Sequence, residues 1–451
     1  MLVRLVIVTV ALALATAGAS AATWSPPSTL RTCAPARDPQ VVFPFSDPSH
    51  ASGRGAILWL GSPPGCTISG ALALDSATLH TSDQPSVARR ASDALGLASP
   101  LAALSTTSGQ LVAAVGAPAG TRLYEGTAGS RLALTGALGP PGSSVAVADG
   151  YIGDADVVST TVVGGRQEIE LRAQRHYAHS FSAPVTMLEG AAPIHSLTVA
   201  LDFRADSIVV WVQGGRLRAQ WVSNSGRAGP PQVLGPARYR TPLAAVLSDD
   251  NRAFVLWVDQ PAPGSDAPST VYLEHSAGSV TFSAPPRAIA TLMQPPAQRL
   301  GPAAVSLVRM TPSEGVLAAW PVLMDGDYAI QAAGLTSSRV LPPATISQIG
   351  ADLRLTELAT GPRNDAVAVL ERAPRATSGF DSGQQAILAA RTIPGGAGGV
   401  NFEAPAVLAT EGANSAPSVA VDPASDRAVV AWQSVISGEE EIAYAIRGGG
   451  P

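Results

Sequence analysis

Asp259, Asp325, Asp327, Arg372, Arg375 and Asp381 are the side chains whose types and placing could do chemistry at a surface of this chain. With Asp266 and the run Glu439–Glu441 they fall in or beside stretches read below as loops, where they would form a mixed-charge rim for a polar ligand or a cation. Ordinary solvated loops account for the same residues. Asp325-Gly326-Asp327 is the best single cation candidate, with calcium as the ion it would suit, but no D-x-D-x-D-G run accompanies it and no metal ligand is assigned. His176 and His179 (HYAH) could ligate a metal; no carboxylate motif partners them, and a solvated turn explains them. Tyr124-Glu125 would suit a glycosidase nucleophile pair, against the plainer reading of a strand end. No GxSxG, HExxH, GxxxxGK[ST] or GxGxxG occurs, so no catalytic residue and no cofactor is assigned.

The elements that must position these residues repeat. Ala416–Trp432 (APSVAVDPASDRAVVAW) pairs an apolar run ending in Asp with a short polar turn and a second apolar run ending in Trp. The second run returns as Ala56–Leu60, Leu111–Val115, Val157–Val163, Ile208–Val212, Ala253–Val258, Gly315–Trp320, Ala366–Leu370 and Ala428–Trp432, each preceded by a first run. The runs are short, rich in Val, Ala and Leu, and bounded by Gly, Pro, Asp and Ser, which predicts strands covered on both faces. A helical reading fails on run length and on the 38 prolines. The turns between paired runs are rich in Asp and Asn, whose side chains close such turns onto their own backbone.

A third apolar run usually follows, as in Leu217–Val222 and Ile442–Ile446, and then a fourth element that opens with an aromatic residue and Pro: Phe181–Leu188, Phe282–Ile289 and Phe402–Leu408. Pro suits an outermost strand, where a missing N–H costs no ladder bond. The last unit stops after its third strand, and Trp24–Leu30 (WSPPSTL) supplies the matching fourth element from the other end of the chain. The expected fold is therefore all-β: a single closed β-propeller over residues 23–447, of eight four-stranded blades with seven as the alternative count, closed by an N-terminal strand that completes the last blade. Residues 448–451 are a Gly-rich tail.

Long insertions are expected after the second strands (Asp259–Thr270, Pro321–Asp327, Glu371–Gln384), sharing one face with fourth-to-first connections such as His80–Ser99 and Ala290–Gly301. The seven tryptophans are read as packing, since all sit on repeat elements and five end second strands.

The repeat with its aromatic-Ser-x-Pro strand resembles the sialidase-like propellers, whose Asp-box reads S-x-D-x-G-x-T-W ahead of such a strand. Ser276–Phe282 (SAGSVTF) is one residue short of that motif and lacks its Asp; Ala397–Phe402 (AGGVNF) lacks both Ser and Asp. The resemblance implies the architecture over most of the chain. The family's arginine triad, Tyr/Glu nucleophile pair and acidic proton donor find no motif here, so no role is carried onto a residue.

Met1–Ala22 reads as a signal peptide: Arg4, the apolar run Leu5–Leu14, then small residues at the cleavage site. A retained signal-anchor is the rival, and no later run is long enough to span a membrane. Cys33 and Cys66, the two cysteines, are expected to form a disulfide closing a loop of about 30 residues. A net charge of -5 argues against nucleic acid, whose phosphates require a basic surface. The functional expectation is a secreted or cell-surface, monomeric, non-catalytic module that binds an extracellular protein or glycan. The alternative is a diverged sialidase-like glycoside hydrolase or lyase with its site at the central channel, favoured if Arg and carboxylates converge there.

Overall fold

Each second strand carries apolar residues at consecutive positions, so it can be stable only with both faces covered. The computed structural model covers them by radial repetition. It describes residues 23–448 apart from 31–32, 45–53, 63–71, 81–83, 97–99, 151–152, 176–177, 179, 191, 239–240, 249, 262–266, 277–280, 283, 294–303, 312–314, 337–338, 347–351, 364, 374–384 and 394–399. The strands form eight antiparallel sheets of four, the seventh with an additional two-residue strand, Asn401–Phe402.

The innermost strands of blades 1 to 8 are Cys33–Val42, Leu101–Ser105, Val145–Asp149, Ile194–Leu201, Leu243–Leu247, Ser306–Thr311, Asp352–Thr360 and Ala413–Asp422. Neighbouring innermost strands touch all the way round, blade 8 against blade 1, so the ring is closed and the count is eight. Closure uses the N-terminal segment as expected. Ser28–Leu30 pairs with the third strand of blade 8, Glu439–Arg447, placing Ser28 opposite Tyr444 and Leu30 opposite Ile442. Trp24 bridges to Arg447, and Ser25 adds two bonds to Ile446, its N–H donating to the carbonyl (2.7 Å) and its Oγ accepting from the amide (3.0 Å).

An apolar core lies between every pair of adjacent blades. Blade 4 shows how one strand serves two of them. In Ser207–Gln213, Val209 and Trp211 pack toward blade 3, while Ile208, Val210 and Val212 pack toward blade 5. The period of two is kept, but both faces are apolar, because neither faces water. Trp59, Trp211, Trp257, Trp320 and Trp432 are all buried, each against the preceding blade.

Several boundaries differ from the expectation. His80–Ser99 is not a fourth-to-first connection, since it holds the fourth strand of blade 1, Arg89–Gly96. Pro321–Asp327 is not an inserted loop. The second strand of blade 6 runs through Pro321 to Met324 and turns back at once into Asp327–Leu335. Pro184, Pro286 and Pro405 precede the outer strands Val185–Gly190, Arg287–Leu292 and Ala406–Ala409 instead of lying within them. Residues 1–22 and Cys66 lie outside the described residues, as does the side chain of Cys33, so the disulfide does too.

Candidate functional site

Innermost strands of blades 3 and 5 retain more water contact than the second strands of blades 4 and 5. All five residues of Val145–Asp149 and four of the five in Leu243–Leu247 are half-buried, whereas Ser207–Gln213 and Ala253–Asp259 are buried throughout. Strands at the centre of a disc reach water only through an axial channel. The side chains of these strands turn sideways into the seams, Ala146 and Ala148 against the core shared with blade 4, Ala244 against that shared with blade 6 and Ala245 against that shared with blade 4.

Charged groups near this axis have different fates. The backbone edge of an innermost strand has no ladder partner, so its N–H groups need other acceptors. Glu357, on the innermost strand of blade 7, accepts the Val419 N–H of blade 8 at 2.8 Å. Ser418 Oγ accepts the Val41 N–H of blade 1 at 3.1 Å. Glu371, on the second strand of blade 7, accepts the Ala416 N–H at 3.0 Å and pairs with Arg354 at 2.8 Å. Burial pushes the Glu357 carboxyl up to about 7. It raises Glu371 as well, with Arg354 pulling the other way. These groups fasten blades 7, 8 and 1 together at the axis.

Asp149 is different. It ends the innermost strand of blade 3, and its carboxyl interacts with its own backbone N–H and, across the axis, with the charge of Arg309 on the innermost strand of blade 6. Blades 3 and 6 are not neighbours, so this attraction crosses the channel. Burial pushes Asp149 up to about 6, against the pull of its own N–H and of Arg309. Asp202, also raised to about 6 by burial, is spent on its turn, accepting from the Arg204 and Asp206 N–H groups at 2.9 Å each. An acid with a near-neutral pKa, acted on by a cation from a non-adjacent blade, is equipped to exchange protons with a ligand and to fix its charge.

The residues singled out from the sequence do not gather there. Asp259 is buried at a strand end and gripped by Arg238, whose backbone N–H donates at 2.9 Å and whose Nε donates at 3.0 Å to both carboxylate oxygens. Asp325 and Gly326, with φ of 52° and 85°, form the two-residue turn of a hairpin, where left-handed backbone is required, and Asp327 is buried on the following strand. Arg372 is half-buried on the second strand of blade 7, opposite Leu353; Arg375, Asp381, Asp266, His176 and His179 lie outside the described residues. Tyr124 and Glu125 are strand residues, Glu125 accepting from Gln110 Nε2 at 2.8 Å. Among the described residues no group of three or more His, Cys, Asp or Glu is placed to hold a metal ion, and no helix is long and apolar enough to cross a membrane.

No protein-family model and no curated protein matches the chain. Solved structures similar to it include a family 25 polysaccharide lyase, an ulvan lyase, at 12% identity over 81% of this chain and 93% of that one, TM-score 0.46. An α-L-arabinanase of Penicillium chrysogenum is 10% identical over 77% of this chain and 92% of its own, TM-score 0.38. A lectin of Aleuria aurantia is 11% identical over 83% and 96% respectively, TM-score 0.37.

Sequence reasoning passed over Asp149 and Arg309 because nothing local marks them. Asp149 closes the run SVAVAD as the aspartates of other units close theirs, and Arg309 is a single charge in an apolar strand. The available signal was that lone Arg on an innermost strand.

Proposed function

We propose that this propeller acts on a glycan at its axial channel, cleaving it as a hydrolase or lyase, with Asp149 as the proton-bearing group and Arg309 as the anchor for negative charge on the sugar chain. One observation carries the reading: the charge of Arg309, on the innermost strand of a non-adjacent blade, acts on Asp149, and burial holds Asp149 near neutrality. A carboxyl in that range can protonate a leaving oxygen or take up a proton at physiological pH. The signal-peptide reading of Met1–Ala22 supports an activity outside the cytoplasm.

Binding without cleavage is the second reading, and a specific observation favours it. Glycoside hydrolysis ordinarily uses a pair of carboxylates. Among the described residues no second carboxyl acts on Asp149, and Glu357 and Glu371 are occupied by the neighbouring backbone.

The test is to incubate the mature protein with neutral and anionic polysaccharides, with and without calcium, and to read products by mass spectrometry. New oligosaccharides from the wild type and none from a folded Asp149→Asn variant are expected. Ligand retained but uncleaved by both would leave a binding module, and neither cleavage nor retention would sink both readings.

A further inference from the structure

A cavity lies on the seam between blades 7 and 8, running from Asn414 on the innermost strand of blade 8 out to the closing strand. It has a volume of about 370 Å³ and is bounded by the outer strand of blade 7, the turn after it, the second strand of blade 8 and the closing strand Ser28–Leu30. That size is at the lower end of small-molecule sites.

Its floor is rigid and spent. Asn414 Oδ1 accepts from Trp432 Nε1 at 3.2 Å and from Ser434 Oγ at 2.9 Å. Asn414 Nδ2 donates to the Gln385 and Glu411 carbonyls at 2.8 and 2.9 Å. The side chains of Thr29, Thr410 and Glu411 also line the cavity, and none of them has a hydrogen bond among the described residues. Facing them are apolar walls, with Val407 and Ile436 left 44% and 43% exposed, far more than the strands beside them. Two hydroxyls, one carboxylate and an apolar wall over a fixed floor match a ring with one C–H face and several hydroxyls.

We propose that this groove is a non-catalytic subsite for one neutral or amino-bearing glycosyl unit, with Glu411 accepting from its hydroxyls or amine, Thr29 and Thr410 completing the contacts, and Val407 and Ile436 against its C–H face. The carbohydrate class rests on the reading given above; the groove and its chemistry do not. Its sign is opposite to that of Arg309: the Glu411 carboxylate rejects uronic acids, which the channel cation attracts. The groove would hold one part of a glycan while the channel engages another.

The experiment is calorimetric titration of the full mature protein with the methyl glycosides of glucose, galactose, mannose, glucosamine and glucuronic acid. At least one neutral or amino glycoside is expected to bind and the glucuronide not to bind at this site. Glu411→Gln should weaken that binding about tenfold or more, as loss of a charge-assisted hydrogen bond does. Thr410→Trp, which fills the groove from its rim, should abolish it, and Asp149→Asn should leave it unchanged. Binding undisturbed in both groove variants, or no binding by any neutral or amino glycoside, overturns the subsite. Polysaccharide cleavage lost in Asp149→Asn is scored separately, so the channel reading can stand or fall without it.

Discussion

Asp149 and Glu357 occupy related places in blades 3 and 7. Both lie on innermost strands, both are half-buried at the axis, and burial raises both, to about 6 and about 7. They differ in what lies beside them. Glu357 has the unpaired edge of blade 8 within reach and is bonded to the Val419 N–H, so its removal would expose a backbone fault. Among the described residues Asp149 bonds to no neighbouring blade's backbone; its own N–H and the charge of Arg309 act on it. A raised pKa therefore does not by itself distinguish a fastener from a site; the hydrogen-bond partner does.

That contrast is sharpest on truncation. Glu357→Ala leaves the buried Val419 N–H without an acceptor and should cost about 1–3 kcal/mol in chemical denaturation. Asp149→Ala, which releases only the residue's own N–H and none from a neighbouring blade, should cost less. Equal losses would erase the distinction drawn between them.

The pH dependence should be smaller and of defined sign. A carboxyl raised in the fold is neutral at low pH at no expense, and its contribution becomes destabilising as pH rises from its ordinary value toward its folded one. Asp149→Asn should therefore gain on the wild type between about pH 4 and 6 and hold that gain above. Glu357→Gln, whose amide oxygen still accepts the Val419 N–H, should gain between about pH 4.5 and 7. Each gain should be on the order of 1 kcal/mol once water in the channel is allowed for, read from denaturation midpoints across pH. A gain that appears on acidification would reverse the assignment.

Ser418→Ala is a milder version of the same fault at the next seam. It removes the acceptor of the Val41 N–H and should cost about 1 kcal/mol. The smallest effect is expected furthest from the axis. Gly326→Ala, at a φ of 85° in the exposed hairpin turn, should cost about 1 kcal/mol or less in thermal denaturation.

How far these regions were legible follows from how local their signals are. Second strands were readable because burial on both faces requires runs such as IVVWV and AFVLWV, and in five of the eight a Trp near the end packs against the preceding blade. The closing strand was readable because a missing fourth element at one end met a spare one at the other. Asp325-Gly326-Asp327 misled because an acidic pair around Gly is also what a tight hairpin turn requires, and the strand through Pro321 was hidden by a residue that usually ends one.

The sequence by itself determined the strand period, the repeat, the blade composition and the manner of closure, since each depends on residues adjacent in the chain or on a matching of its ends. Only the tertiary structure decided which carboxylates are spoken for. Asp149 and Arg309 are separated by three blades' worth of chain, and the charge of one acts on the other only because the closed ring gathers the innermost strands of blades 3 and 6 around one axis. Thr29 and Glu411 share a groove for the same reason, the chain's two ends being brought to one seam by closure.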